Sequence, residues 1–182
     1  MTEHGRQAAL VEGARAGQPD AVGELYELYG ATVYRVALRL VNSAADAEDV
    51  VQDVFVGLGR SLVSYEGRGS LEGWMKRVTS RTALMRLRRQ RSRNEISLEA
   101  GLPSWSASAS SSPTDRLTLE AALGELPEAL RVVFVLKEVE GYTHQEIGEM
   151  LGIRPGTSKI RLYRARKELQ MSIEGTHDSS SQ

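Results

Sequence analysis

Residues 143–170 have the sequence THQEIGEMLGIRPGTSKIRLYRARKELQ, which decides the fold of the second half of the chain. Thr143 and Glu146 have the T-x-x-E spacing of a helix capping box, and Gly152 is suited to end the helix that begins there. Pro155 is suited to the first turn of a second helix. A short helix, a three-residue turn and a longer basic helix together predict a helix-turn-helix.

The second helix of such a motif enters the DNA major groove with its first turns. Five side chains are therefore candidates for contact with duplex DNA: Thr157, Lys159, Ile160, Arg161 and Arg164. Leu162 and Tyr163 are predicted to pack against the rest of the domain. An arginine here could bind guanine with two hydrogen bonds or hold a phosphate, and the sequence leaves both interpretations open.

Upstream of the helix-turn-helix the sequence predicts two further helices, preceded by a segment rich in serine. A short helix is predicted around Leu117–Leu123, and another begins at Pro127 and ends at Gly141. Between Gly101 and Thr114 the sequence is rich in serine and lacks apolar periodicity, which is typical of a flexible linker. The linker predicts that the chain forms two separate domains.

The first half of the chain has the apolar spacing of three helices. The first begins near Pro19, the second runs from about Ala44 to Val63 behind an N-cap at Ser43, and the third follows an N-cap at Ser70. The positions predicted to face inward on the third helix are Leu71, Trp74, Met75, Val78, Thr82 and Met85. The whole chain is therefore predicted to be all-α.

Charge is unevenly distributed although the net charge is only −1. Residues 1–56 are acidic, whereas residues 73–94 and 154–167 contain lysine and arginine but no acid. Two separate basic windows predict two surfaces that bind nucleic-acid phosphates. The alternative is a pair of solvated helix faces.

Acidic side chains also follow a helical spacing. Asp46, Asp49 and Asp53 fall on one face of the second predicted helix, with Gln52 beside them. Asp49 and Asp53 repel each other at i,i+4, a small penalty that a cationic partner would offset. These four residues predict a protein-docking face, against the alternative of an ordinary solvated face.

The third helix and the loop before it form a candidate site for DNA strands. The basic residues proposed to contact DNA are Lys76, Arg77, Arg81, Arg88 and Arg89, joined by Arg68 of the loop. Tyr65 in the same loop could stack on an unpaired base or pack internally. For Trp74, on the apolar stripe, core packing is favoured.

Composition excludes several classes of protein. There is no cysteine, and the three histidines are widely spaced, so no metal, no cofactor and no enzymatic activity are predicted. No apolar run approaches the ~20 residues of a membrane-spanning helix, and the amino terminus lacks an export signal. The expected location is the cytoplasm.

With these segments in place, the chain resembles the extracytoplasmic-function (ECF) group of sigma-70 RNA polymerase sigma factors. The matching segments are AEDVVQDVF at residues 47–55, GRGSLEGWMKRV followed by RLRRQR, and LPEALRVVFVLKEVEGYTHQEIGEMLGI followed by GTSKIRLYRAR. The resemblance implies five parts: an N-terminal tail (1–18), sigma region 2 (19–94), a linker (95–114), sigma region 4 (115–171) and a disordered tail (172–182).

The resemblance also implies partners and roles. Asp46, Asp49, Gln52 and Asp53 would bind the clamp coiled coil of core RNA polymerase. The third helix and its loop would capture the melted −10 strand of promoter DNA, and the helix-turn-helix would bind the −35 element while its domain rests on the polymerase flap. An anti-sigma factor is a further expected partner, and no small-molecule substrate is expected.

Some positions depart from the family pattern. Arg81 and Met85 replace the usual Asn and Asp of the third helix, and Arg154 replaces a usual N-cap Ser. Ser158 and Ile160 exchange the usual apolar and polar characters, so either Ile160 faces DNA or the helix is rotated. A conventional helix-turn-helix regulator and a protein-binding adaptor remain the alternative functions.

Overall fold

The structure, a computed structural model, describes residues 3–99 and 119–178, with side chains from residues 5–93 and 120–172. The described residues are helical apart from short turns and contain no β-strand, which confirms the predicted all-α class. Contacts divide the chain into two compact units, Met1–Leu87 and Arg88–Gln182. None of the described helices is long and apolar enough to cross a membrane.

The first unit is built from five helices. They are α1 (Glu3–Arg15), α2 (Pro19–Val41), α3 (Ala44–Val56), α4 (Leu58–Leu62) and α5 (Leu71–Glu99), the last of which continues beyond the end of this unit. Helix α2 has Pro19 in its first turn and ends at Asn42, whose positive φ of 55° is tolerated by asparagine. Its beginning is where the sequence predicted it.

The core of the first unit lies between α2, α3, α4 and the start of α5. Leu25, Leu40, Leu58 and Leu62 are fully buried, each contributing about 1.5–3 kcal/mol through removal of its side chain from water. Tyr26 of α2 packs its ring edge-on against Phe55 of α3, with ring centroids 5.0 Å apart. This packing fixes which side of α3 faces outward.

Two predictions for the first unit are wrong in detail. The single helix expected from Ala44 to Val63 is broken at Gly57, where the backbone turns at φ −85° and ψ −1° before α4 begins. Met85, expected to face inward, is 48% exposed, because the buried face of this part of α5 is formed by Ala83, Leu84 and Leu87.

Within the predicted N-terminal tail, residues 3–15 form α1. This helix buries Leu10, Val11 and Ala14 against α2 and α4. A Cβ built on Gly59 of α4 would lie 2.8 Å from the Ala14 carbonyl oxygen, so glycine allows the two helices to approach closely. A short apolar cluster on an otherwise polar segment is therefore enough to dock this helix.

The second unit holds the remaining helices. They are α6 (Leu119–Glu125), α7 (Glu128–Phe134), a π-helical turn (Val135–Val139), α8 (His144–Leu151) and α9 (Pro155–Asp178). Leu123, Leu136 and Ile147 are buried with Leu162 and Leu169 of α9. The predicted helix from Pro127 therefore widens into a π turn and ends before Gly141, which has a positive φ of 76°.

The ends of the predicted segments differ from the structure. Residues 95–99, expected in the linker, belong to α5, whereas residues 100–114 of the linker and Leu117 lie outside the described residues. Helix α9 extends to Asp178, so a disordered tail from residue 172 is wrong through that point. Residues 179–182 lie outside the described residues.

Candidate functional site

The exposed side of α3 presents three acids, Glu48, Asp49 and Asp53, and the amide of Gln52. Ser43 caps the helix by accepting a hydrogen bond from the Asp46 backbone N–H at 3.3 Å, which sets the register of the following turns. Asp49, Gln52 and Asp53 then project to solvent on one face, here called the acidic face. The spacing of three and four residues brings their side chains together as the sequence predicted.

Asp46 has a different environment from the acidic face. Its side chain is only 21% exposed and accepts a hydrogen bond of 2.7 Å from Arg86 Nε of α5. Arg86 also forms an ion pair with Asp49. Partial burial disfavours the charged guanidinium of Arg86 and acts to lower its pKa. The hydrogen bond to Asp46 and the negative charge of Asp46 outweigh this effect, so the pKa of Arg86 is raised above its ordinary value. This pair joins α3 to α5, a role that the sequence did not predict.

Helix α5 carries a row of exposed basic side chains. Arg77 and Arg81 of the first unit are exposed and four residues apart, so they lie on one face, followed on that face by the exposed Met85. Lys76 is held by Glu72 at 3.1 Å on an adjacent face. Arg88 and Arg89, farther along the same helix, are also exposed.

The loop that precedes α5 brings an aromatic pair to the surface. Tyr65 is half-buried, and its ring lies 5.5 Å from that of Trp74, tilted by 56°. The Tyr65 hydroxyl donates a weak hydrogen bond of 3.4 Å to the Gly69 carbonyl. Gly67 and Gly69 have positive φ values of 73° and 82°, which let the loop turn tightly around this ring.

Arg68 stands at the outer edge of this loop. Its side chain is 86% exposed and forms an ion pair of 2.6 Å with Glu66. Ser70 then caps α5 by accepting a hydrogen bond of 3.1 Å from the Gly73 N–H, as predicted. The loop and the start of α5 therefore place Tyr65, Trp74 and Arg68 next to the basic face of the helix.

The helix-turn-helix is confirmed by its local geometry. The Thr143 hydroxyl accepts from the Glu146 N–H at 3.2 Å, and the Glu146 carboxylate accepts from the Thr143 N–H at 2.7 Å. Gly152 ends α8 with a positive φ of 67°. The Ile153 N–H then bonds the Gly148 carbonyl at 3.0 Å, and a Cβ on Gly148 would lie only 2.7 Å from the Ile153 oxygen.

The two sides of α9 have opposite character. Its buried stripe is Ser158, Leu162, Ala165 and Leu169. Lys159, Ile160 and Arg164 are exposed, whereas Thr157 and Arg161 are half-buried. Tyr163, predicted to pack, is 69% exposed, because it follows Leu162 and turns about 100° away from the core. The exposed side therefore has an aromatic ring that sequence analysis assigned to the interior.

The buried position of Ser158 explains one departure from the family pattern. Its hydroxyl lies 2.9 Å from Nδ1 of His144, which links the start of α8 to α9. Desolvation, followed by the charges of Lys137 and Lys159, lowers the pKa of His144 below its ordinary value. With Ser158 buried and Ile160 56% exposed, Ile160 is on the solvent side of the helix.

The described residues contain no group of three or more histidine and carboxylate side chains that could hold a metal ion. They place the sequence-predicted residues in three clusters: the acidic face of α3, the loop and basic face at α5, and the exposed side of α9. Asp46 falls outside the first cluster. Tyr163 could have been found from its register, since it does not share the helical face of Leu162 and Leu169.

Comparison with known proteins identifies the family. The model of sigma-70 region 2 matches residues 25–93, and that of sigma-70 region 4 matches residues 116–169. The sigma factor CarQ of Myxococcus xanthus is 31% identical over 162 residues, covering 88% of this chain and 93% of CarQ. The chain belongs to the sigma-70 family of RNA polymerase sigma factors.

Other relatives place this sigma factor in the ECF group. The ECF sigma factor SigE of Mycolicibacterium smegmatis is 35% identical over 156 residues, which are 81% of this chain and 59% of SigE. The ECF sigma factor SigW of Bacillus subtilis is 24% identical, with 90% of this chain and 94% of SigW covered.

Two solved structures share the fold of this sigma factor. One is the sigma factor RpoE of Bartonella quintana in complex with the anti-sigma factor NepR, with a TM-score of 0.58, 24% identity and coverage of 84% of this chain and 96% of RpoE. The other is CnrH in complex with the cytosolic domain of CnrY, with a TM-score of 0.51, 24% identity and coverage of 92% and 96%.

Proposed function

We propose that this sigma factor initiates transcription through three separate surfaces, one for core RNA polymerase and two for promoter DNA. The observation that carries the proposal is the division of charge: an exposed acidic face on α3, exposed arginines on α5 and an exposed basic side on α9. Each surface is built on a helix whose other side is buried, so its side chains are held in place before binding.

The acidic face of α3 binds the clamp coiled coil of the polymerase. Asp49, Gln52 and Asp53 supply acceptors for cationic and amide groups of that partner. Asp46 supports this face indirectly, because it accepts a hydrogen bond from Arg86 that holds α3 against α5. We therefore assign Asp46 to positioning the docking face and the other three residues to contact.

The loop and basic face at α5 bind the melted −10 strand. Arg77 and Arg81 bind phosphates, with Lys76 beside them. Arg88 and Arg89, with which the second unit begins, are proposed as further phosphate contacts. Tyr65 and Arg68 of the loop bind an unstacked base, which can stack on an aromatic ring for roughly 1–3 kcal/mol. Easily unstacked steps are favoured because the strand must separate before it binds.

The exposed side of α9 binds the −35 element as duplex. Lys159, Arg161 and Arg164 bind phosphates or guanine edges, and Thr157 lies in the first turn where the helix enters the groove. Ile160 and Tyr163 add apolar surface for thymine methyl groups. The region 4 domain rests on the polymerase flap, so two modest DNA contacts reinforce each other by effective concentration.

The remaining roles follow from this assignment. This sigma factor acts in the cytoplasm as a regulatory subunit, and the chemistry of RNA synthesis belongs to the core polymerase. No cofactor or metal enters the scheme. Both solved structures of similar fold are complexes with NepR or CnrY, which supports an anti-sigma factor as a further partner here.

The decisive experiment is transcription in vitro with sigma-free core polymerase and genomic promoter fragments. The wild-type chain is compared with Asp53→Arg and with the matched charge reversal Glu27→Arg, at an exposed acid on α2. We expect specific transcripts from the wild type and Glu27→Arg, and few from Asp53→Arg. DNA binding by the wild type without transcripts or polymerase association would instead indicate a conventional helix-turn-helix regulator.

A further inference from the structure

Arg15, the last residue of α1, reaches into the loop that precedes α5. Its Nε donates a hydrogen bond of 3.0 Å to the Leu62 carbonyl, and its Nη2 donates to the Tyr65 carbonyl. Its Nη1 is held by the Glu12 carboxylate at 2.6 Å, one turn back on the same helix. One guanidinium therefore joins α1 to both ends of the turn that leads from α4 into the loop.

The Leu62 carbonyl is a shared acceptor at this turn. It also accepts a hydrogen bond from the Tyr65 backbone N–H at 2.9 Å, which closes the turn between residues 62 and 65. Arg15 of α1 adds a side-chain bridge between the Leu62 and Tyr65 carbonyls of the same turn. Hydrogen bonds from a charged donor are about twice as strong as those between neutral groups. The Tyr65 backbone is thereby fixed at both its N–H and its carbonyl.

Fixing the Tyr65 backbone fixes the direction of its Cα–Cβ bond, from which the ring extends. The ring lies 5.5 Å from Trp74, which stands on the first turn of α5 beside Lys76 and Arg77. The loop beyond it contains Gly67 and Gly69, both at positive φ, and glycine restricts the backbone less than other residues. Arg15 restrains the chain immediately before these glycines, at Leu62 and Tyr65.

Arg15 is itself held firmly in place. Its side chain is only 30% exposed, and the turn of α1 before it is docked through the buried Leu10, Val11 and Ala14. The contact between Ala14 and Gly59 sets the distance from α1 to α4. The cation is therefore anchored on a packed helix and not on a mobile segment.

We propose that Arg15 is a positioning residue for capture of the −10 strand: α1 holds the Tyr65 turn in the shape that receives an unstacked base. This inference rests on the proposed function of the loop and assigns to α1 a part in promoter opening. Arg15 contacts no DNA in this scheme, since its donors are turned to the Leu62 and Tyr65 carbonyls and to the Glu12 carboxylate. Pre-ordering the loop lowers the entropy lost when the strand binds.

The test variant is Arg15→Lys, which keeps the charge and the helix propensity but replaces a planar fork of donors with a single ammonium. Arg6→Lys is the matched control, because Arg6 is on the same helix in an exposed pair with Glu24 at 2.9 Å. Replacing Trp105 with Phe leaves Trp74 as the only tryptophan of the chain. Acrylamide quenching of Trp74 fluorescence then reports the order of the loop directly.

Three quantities are measured in this background: Trp74 quenching in the free protein, affinity for core polymerase, and affinity of the holoenzyme for a single-stranded −10 oligonucleotide. The oligonucleotide is the non-template strand of a promoter that the wild type transcribes. For Arg15→Lys we expect stronger quenching and a loss of strand affinity on the order of tenfold, as for a lost charge-assisted hydrogen bond. Affinity for core polymerase should stay within about twofold, and Arg6→Lys should change none of the three.

Two results would overturn the inference. One is unchanged strand affinity in Arg15→Lys; the other is an equal loss of affinity for strand and polymerase, which would make Arg15 a general stabiliser of the unit. If the wild-type holoenzyme itself bound no strand, the proposed function of the loop would be wrong. That failure is distinguishable, because it appears before Arg15 is changed.

Discussion

The surroundings of His144 predict a pH dependence of the stability of the helix-turn-helix. Its Nδ1 lies 2.9 Å from the Ser158 hydroxyl, and burial with the positive charges of Lys137, Lys159 and Arg166 lowers its pKa, against a smaller opposite effect of Glu138. The folded chain therefore resists protonation at His144. The unfolded chain accepts the proton near its ordinary pKa of 6.5, so unfolding is favoured as the pH falls.

We expect His144 to contribute a pH-dependent part of the stability, complete above the unfolded pKa and lost as the pH falls toward the folded pKa. The free energy of unfolding in urea should decrease from about pH 7.5 to about pH 5.5, more steeply in the wild type than in His144→Gln. Glutamine keeps a polar partner for Ser158 but does not titrate. Identical slopes for the two proteins would contradict this assignment.

Ser80 is a second buried polar group on which the fold makes a clear prediction. It is fully buried in α5, and no atom in the described ranges forms a hydrogen bond with its hydroxyl. Ser80→Ala removes an unsatisfied group and improves helix propensity, so we expect a gain of about 1 kcal/mol in the free energy of unfolding.

Thr79 is the matched comparison for Ser80, since it is buried beside it but donates a hydrogen bond of 2.8 Å to the Met75 carbonyl. Thr79→Ala should lower the free energy of unfolding by about 1 kcal/mol, because a bond is lost and a small cavity is left. Urea unfolding of both variants checks the opposite signs. A loss of stability in Ser80→Ala would mean that its hydroxyl has a partner in solution.

At the scale of elements, the turn between α8 and α9 depends on Gly148. A Cβ there would lie 2.7 Å from the Ile153 backbone oxygen, so Gly148→Ala must push the turn away from α8. We expect a loss of about 1–3 kcal/mol in the stability of this unit, the usual cost of overpacking, and weaker binding to −35 duplex DNA.

Gly156 on α9 is the control for this strain. A Cβ built there meets no atom within 4 Å among the described residues, so Gly156→Ala should leave the stability unchanged or raise it by about 0.5–1 kcal/mol through helix propensity. Thermal unfolding compares the two variants. Equal stability of both would show that the turn relaxes around an added methyl group.

The same elements show which features a single sequence reveals. Caps and stops are local, so Ser43, Ser70, the Thr143–Glu146 box and Gly152 could all be identified from neighbouring residues. Helix α1 could not be identified in this way, because its three buried apolar residues are too few to predict a helix without the contacts that α2 and α4 make with them. Local patterns are visible in a sequence, and tertiary partners are not.

Long-range pairing also limited prediction of the sites. Arg86 belongs to a basic window by sequence, but in the fold it pairs with Asp46 and Asp49, 40 and 37 residues earlier. That pairing leaves Asp46 only 21% exposed and outside the acidic face. The prediction that Tyr163 packs internally is wrong for a local reason: an aromatic ring favours the core, but the register of Tyr163 on α9 faces away from Leu162.

The two units carry opposite charges on surfaces that we propose bind different partners. The net charge of −1 hides an acidic face in the first unit and a basic side of α9 in the second. Surface charge acts mainly on association and on salt dependence, while the buried cores hold each unit together. Changes on one surface should therefore leave the function of the other intact.

We expect Lys159→Ala and Asp53→Arg to affect different partners of the same folded chain. Lys159→Ala should weaken binding to −35 duplex DNA and reduce the slope of affinity against salt by about one ion, because one phosphate contact is lost. Asp53→Arg should reduce affinity for core polymerase and leave duplex binding in place.

Lys76→Ala is the matched lysine control, since Lys76 belongs to the α5 cluster and should not alter −35 binding. Titrations at several salt concentrations and polymerase pull-downs measure both effects, and equal losses in both assays for Lys159→Ala and Asp53→Arg would contradict the separation of surfaces.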